Sequence, residues 1–174
     1  MGDDRFKLAA AAIDAANAED PSGKEPRDAS LMVGWIERLA PGADDALRLA
    51  ARAHHVRRWT VPRSSYPDGR AGYLRWRRDL HEVHAREVGA ILADAGYGAE
   101  FIGRVQDIVR KRNLKTDPDV QTFEDALCLT FLQTQYDDLA GRLEAEKMDE
   151  VVTKTLAKMS ERGRALAAEL QAAG

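Results

Sequence analysis

The sequence predicts an all-α protein folded as a single compact domain of six or seven helices. Three observations carry this expectation. Apolar residues recur at spacings of three and four through nearly the whole chain, the pattern of helices with one buried face. No segment alternates apolar and polar residues between turn signals, as a half-buried strand would. At 174 residues, 44% of them apolar, the chain is long enough for one real core and short for two.

The elements follow in order. In residues 4–19, Phe6, Ala9, Ala10, Ile13, Ala16 and Asn17 form one stripe, and Asp20-Pro21 ends it because proline disfavours helical backbone in the residue before it. Residues 21–27 read as a polar loop. Asp28 is the expected N-cap of a second helix carrying Leu31, Met32, Trp35, Ile36 and Leu39 up to Pro41-Gly42. A third helix starts at Ala43 or Asp44 and sets Leu47, Ala50 and His54 on one line. The stretch from Trp59 to Gly69, with two prolines and a Pro-Asp-Gly turn, is a loop of about a dozen residues. A long helix covers about 71–95 and stops at Gly96-Tyr97-Gly98; Phe101, Ile102, Val105, Ile108 and Val109 define the next. One helix is then expected from Val120 to about Arg142, and a last one from about Glu146 to Ala168 that packs on a core spanning about 28–132. Gly89 and Gly103 fall inside predicted helices, where each costs about 1 kcal/mol relative to alanine; close helix crossings are the expected reason.

A formal net charge of -3 with 32% charged residues gives no chain-wide bias toward nucleic acid or an anionic membrane. The charge is uneven, however: Arg52, Arg57, Arg58, Arg63, Arg70, Arg75, Arg77 and Arg78 face only Asp68 across that stretch. The single cysteine, Cys128, excludes an internal disulfide and a cysteine-rich zinc module and fits a reducing cytoplasm. Asp3 and Asp4 open the chain where a secretory signal would be basic. No apolar run reaches the roughly 20 residues that span a bilayer. Phosphate-binding glycine loops and the G-x-S-x-G elbow are also missing.

Chemistry is suggested by the histidines, which come as His54-His55 and as His81 with His84. His81 and His84 continue the stripe of Val88, Ile91 and Ala95, and Asp125 shares one with Cys128, Leu129 and Leu132. Imidazole and carboxylate suit divalent iron, manganese, zinc or nickel, so His54, His55, His81, His84 and Asp125 are the candidate ligands. The same residues could instead form a hydrogen-bonded polar core, or an anion pocket without metal. Arg57, Arg58, Arg63, Arg75 and Lys111 are candidate contacts for a small anionic ligand, because a guanidinium fork or an ammonium matches phosphate and carboxylate. Trp59, Tyr66, Tyr73 and Trp76 lie among the arginines and could stack on a ring. The acidic remainder and the lack of a recognised motif argue against nucleic acid as the partner. Oligomeric state is not legible.

The run Leu47 to Arg58, then His84 before Val88-Gly89-Ala90-Ile91-Leu92, then Ile108-Val109 and Glu124-Asp125-Ala126-Leu127 resembles the motif order of the HD-domain phosphohydrolase superfamily. The resemblance implies an all-helical, HD-like fold in which His54, His84 and Asp125 hold a divalent metal that activates water against phosphate esters. The chain departs from that pattern with His54-His55 in place of a His-Asp doublet, Ala29-Ser30 where an early helix supplies a histidine, and Lys111-Arg112 at a later histidine. A second likeness covers nearly the whole chain: Ala12 to Pro21, Ala51 to Trp59, Pro62-Arg63, Tyr66-Pro67, Gly72 to Arg77, Glu124-Asp125, Lys154-Thr155 and Lys158-Met159-Ser160 are similar to the family called domain of unknown function 4202. The expectation is a metal-dependent phosphohydrolase for a small phosphorylated or nucleotide-like substrate. In it Arg58, Arg63 and Lys111 neutralise charge, and Glu124, Glu82 or Asp79 serves as base. The alternative is a degenerate HD-like module that binds an anionic metabolite without catalysis.

Overall fold

The computed structural model describes residues 2–173 and is helical throughout, with no strand among them. Nine α-helices run α1 (Gly2–Ala18), α2 (Glu25–Leu39), α3 (Asp45–Arg52), α4 (Gly69–Asp94), α5 (Ala99–Val109), α6 (Pro118–Thr134), α7 (Tyr136–Ala140), α8 (Ala145–Ala157) and α9 (Glu161–Ala173). The Trp59 loop holds two 3-10 turns, Arg58–Thr60 and Arg63–Ser65. Short α3 is the centre of the domain and touches α1, α2, α5 and α6. Its Leu47, Leu49, Ala50 and Ala51 are fully buried and meet Ile13, Ile36, Val105, Ile108 and Phe123 from the surrounding helices in one core. No described helix is long and apolar enough to cross a membrane.

Three boundaries differ from the periodic reading, each for a local reason. Helix α2 begins at Glu25, not after Asp28, because the Asp20 carboxylate accepts hydrogen bonds from the backbone N–H groups of Ser22, Lys24 and Glu25 at 2.9, 2.9 and 3.0 Å. The last two are donors that a helix start leaves unsatisfied. The expected 120–142 helix breaks at Gln135 into α6 and α7. The expected last helix breaks at Lys158–Ser160, where Ser160 Oγ caps the N–H of Gly163 at 3.1 Å and starts α9. Asp44 does cap α3, accepting from Leu47 N at 2.9 Å, but α3 ends at Arg52, so His54 and His55 sit in the turn beyond it. Asn17 fixes that end of α3 by donating to Arg52 O at 3.0 Å.

The two glycines singled out from sequence part company. A Cβ on Gly89 would strike the Gln106 side chain where α4 crosses α5, as expected, whereas Gly103 faces open space. Gly72 is the tighter position, since a Cβ there would overlap the Pro67 carbonyl oxygen. Helix propensity alone favours alanine at that position by about 1 kcal/mol, yet Gly72→Ala is expected to destabilise the protein by about 1–3 kcal/mol through this clash. Urea denaturation of the variant checks it, and an unchanged midpoint would show that the loop shifts freely.

Candidate functional site

The turn after α3 presents His54 and His55 together, their ring centroids 4.1 Å apart, and places His55 5.8 Å from the ring of His84 on α4. His54 Nδ1 lies 3.1 Å from Ala51 O and His84 Nδ1 lies 2.9 Å from Val56 O. A carbonyl only accepts, so each Nδ1 carries the proton and each Nε2 keeps a free lone pair. A backbone carbonyl behind the imidazole is the support that ligating histidines commonly use. His54 Nε2 is buried without a hydrogen-bond partner, and so is Glu25 Oε2, which lies 3.7 Å from His55 Nδ1. Glu25, His54 and His55 can each offer one ligand atom, all within 4.8 Å of one another, a group able to hold a metal ion. The donor set, two imidazoles and a carboxylate, suits a divalent transition ion.

Cations crowd the same place. Arg58 donates to His55 Nε2 at 3.3 Å and stacks over Trp76, 5.2 Å from its ring centroid. Lys111 holds an unusual left-handed backbone, φ 58°, and pairs with Glu124 at 2.5 Å; both side chains are largely buried. Arg77 forms no ion pair among the described residues. These groups line an inner cavity of about 420 Å³, with Asp28, Tyr73, Trp76, Cys128 and the α8 residues Val151, Lys154 and Thr155 among its other walls. An outer cavity of about 800 Å³ shares Asp28, His55, Arg58, Trp76 and Gln135 with it and adds Glu25, Trp59 and Arg63. A void of about 10 Å³ behind the first brings in His81 and His84.

Of the residues expected from sequence, the fold brings His54, His55, His81, His84, Arg58, Lys111 and Glu124 around one place. It puts others to different work. Asp125 faces the α8–α9 corner, accepting from Ser160 N and Gln121 Nε2, both at 2.9 Å, and from Ser160 Oγ. Arg57 pairs with Glu19 and Glu87, Arg63 donates to Tyr66 O and Pro67 O, and Arg75 is exposed on α4. Glu82 pairs with Arg110, and Asp79 accepts from the Tyr66 hydroxyl. Glu25 and three residues that the sequence placed in other roles, Arg77 in the arginine-rich stretch, Asp28 as an N-cap and Lys158 in the family likeness, carry no signal of their own that marks them as site residues. Glu25 was hidden by the polar stretch around it, and the local signal for it is Asp20, whose side chain can start a helix there.

Burial lowers the His54 pKa to about 3 and that of His84 to about 4, the neighbouring cations adding to the effect and the backbone carbonyls opposing it. Burial raises Glu25 to about 7 against the pull of Arg58. In the unfolded chain the histidines take up protons below about 6.5, so what they contribute to stability is whole above that pH and is lost as pH falls toward their folded values. Glu25 acts oppositely: its contribution is present below about pH 4.3 and is lost as pH rises through about 7. Two buried histidines outweigh one carboxyl, and burial of His55 and His81 adds in the same direction. Stability of the metal-free protein is therefore expected to fall by at least about 1.4 kcal/mol per pH unit between about pH 6.5 and 4.5, the single net proton of His54 and His84 against Glu25 setting the lower bound. Urea midpoints at a series of pH values test this, and a flat profile would contradict desolvated histidines.

Fold and site define an all-helical, single-domain protein in which buried Glu25 and His54, with half-buried His55, adjoin a cation-lined cavity. The chain belongs to the family described as Domain of unknown function (DUF4202), which matches residues 7–174. No curated protein and no solved structure matches the chain.

Proposed function

We propose that the protein is a divalent-metal-dependent hydrolase of phosphate esters, acting on a small phosphorylated or nucleotide-like substrate in the inner cavity. What supports this most directly is one conjunction: two buried ligand atoms without hydrogen bonds, His54 Nε2 and Glu25 Oε2, beside a cavity in which Arg58 and Arg77 have no acidic partner at ion-pair distance. Glu25, His54 and His55 would hold zinc, iron, manganese or nickel. When bound, such an ion supplies Lewis-acid polarisation of a phosphoryl oxygen and a water activated at neutral pH.

The chain's own groups divide the remaining work. Arg58 and Arg77 bind the phosphoryl oxygens, and their charge offsets the charge that develops as the ester bond breaks. Lys111 orients Glu124 toward the cavity, where the carboxylate accepts a proton from the attacking water. Trp76, pinned by its Nε1–H to Val61 O at 2.8 Å, keeps Arg58 in place. The neutral state enforced on His54 by burial keeps protons from competing for its lone pair.

An assay of the full chain on a panel of phosphate monoesters, with zinc, manganese, iron(II) or nickel added singly, tests the reading. Metal-dependent hydrolysis is expected, lowered at least about 100-fold by His54→Ala and about tenfold in kcat/KM by Arg77→Met. No hydrolysis with any metal, and no difference between His54→Ala and wild type, would overturn it. One observation favours a second reading, a binding module for an anionic metabolite: Arg58 lies 3.3 Å from His55 Nε2, where its charge opposes a bound cation. Stabilisation by phosphate without metal and without turnover would select that alternative.

A further inference from the structure

The inner cavity has a cation that the single-phosphate reading leaves without a task. Lys158 lines it from the α8–α9 corner, a different wall from Arg58 and Arg77, and forms no ion pair among the described residues. Its neighbour on the same wall, Lys154, is already matched by Glu150 at 2.5 Å, as Lys111 is by Glu124. With Arg58 and Arg77 offsetting one phosphoryl dianion, Lys158 is a surplus positive charge facing the same space.

The corner that carries Lys158 is held from below. Asp125, 2% exposed, accepts from the backbone N–H and the hydroxyl of Ser160. Gln121 Nε2 bridges Asp125 Oδ1 at 2.9 Å and the Lys158 carbonyl oxygen at 3.0 Å. A Cβ on Gly163 would come within 2.6 Å of Asp125 Cγ, so the first turn of α9 has room for this carboxylate only because residue 163 is glycine. Arg164 adds a bond to Met159 O at 2.6 Å. Asp125 thus places a chain corner, and through it Lys158.

Resting on the hydrolase reading above, we propose that Lys158 binds a second anionic group of the substrate, beyond the phosphoryl group at Arg58 and Arg77, and that Asp125 and Ser160 are its positioning residues. The ligand class is a compound with two neighbouring anionic centres, a diphosphate or a phosphorylated acid. A mono-anionic-centre ligand would leave Lys158 in solvent.

Calorimetric titration of the metal-free full chain with inorganic phosphate and with pyrophosphate tests this. Wild type is expected to prefer pyrophosphate by about tenfold, the size of one hydrogen bond to a charged group. Lys158→Met is expected to abolish that preference and leave phosphate affinity unchanged. Ser160→Ala is expected to lose part of the preference, and Ser160→Thr, which keeps the hydroxyl, to restore it. The same preference in Lys158→Met as in wild type overturns the role of Lys158, and an unaltered Ser160→Ala overturns the positioning role. Wild type that binds both anions equally overturns this proposal alone; wild type that binds neither overturns the anion-binding cavity with it.

Discussion

Lys111→Met is expected to destabilise the protein by about 3–5 kcal/mol, the cost of leaving one member of a buried ion pair without its partner. Glu124 is 3% exposed, and the Lys111 ammonium 2.5 Å away is its only ion-pair partner among the described residues. Burial pulls the Lys111 pKa down while Glu124 holds it up, so the ammonium too depends on the pair. Removing both charges in Lys111→Met/Glu124→Leu is expected to recover most of the loss, because a well-packed apolar pair avoids the desolvation of two ions. Equilibrium denaturation of the two single variants and the double variant closes the cycle. A single-variant loss under about 1 kcal/mol would mean that water reaches the pair.

The second large effect concerns the metal. Zinc or manganese at 100 times its dissociation constant is expected to stabilise wild type by about 2.7 kcal/mol, seen as a rise in Tm, and elemental analysis is expected to find about one ion per chain. Glu25→Gln should remove both, since it replaces the only carboxylate of the cluster with a neutral amide while keeping its shape. His81→Gln serves as the contrast: His81 lies beside the third void but outside the cluster, so its loss should leave the stoichiometry intact. Equal metal content in wild type and Glu25→Gln would move the ion to other ligands and remove the chief support for the proposed hydrolase.

Much of this molecule is local. Leu47 and Ala50 on α3, or Val88 and Leu92 on α4, face the core because their spacing leaves no other common face. Asp44 caps α3 for reasons contained in four residues. Breaks are less legible, since Gln135 and Lys158–Ser160 interrupt runs whose periodicity continues on both sides. Ser160 offers a cap, but a mid-helix serine reads the same until Asp125, 35 residues earlier, is known to receive it. Asp125 shows the same limit from the other end: a carboxylate on a buried stripe needs a partner, and nothing in its own helix distinguishes a metal from a serine.

The helical class, most of the helix positions, the inward turn of His54 and His84 and the concentration of arginine beside them are all readable along the chain. The packing of the helices against one another is what brings Glu25 from α2 to the histidines, turns Arg77 and not Arg75 to the cavity, and sets Asp125 against the start of α9. The two differ in range. Periodicity and capping act between residues a few positions apart, whereas the site is made where helices cross, and the crossings depend on how side chains across the whole core fit together.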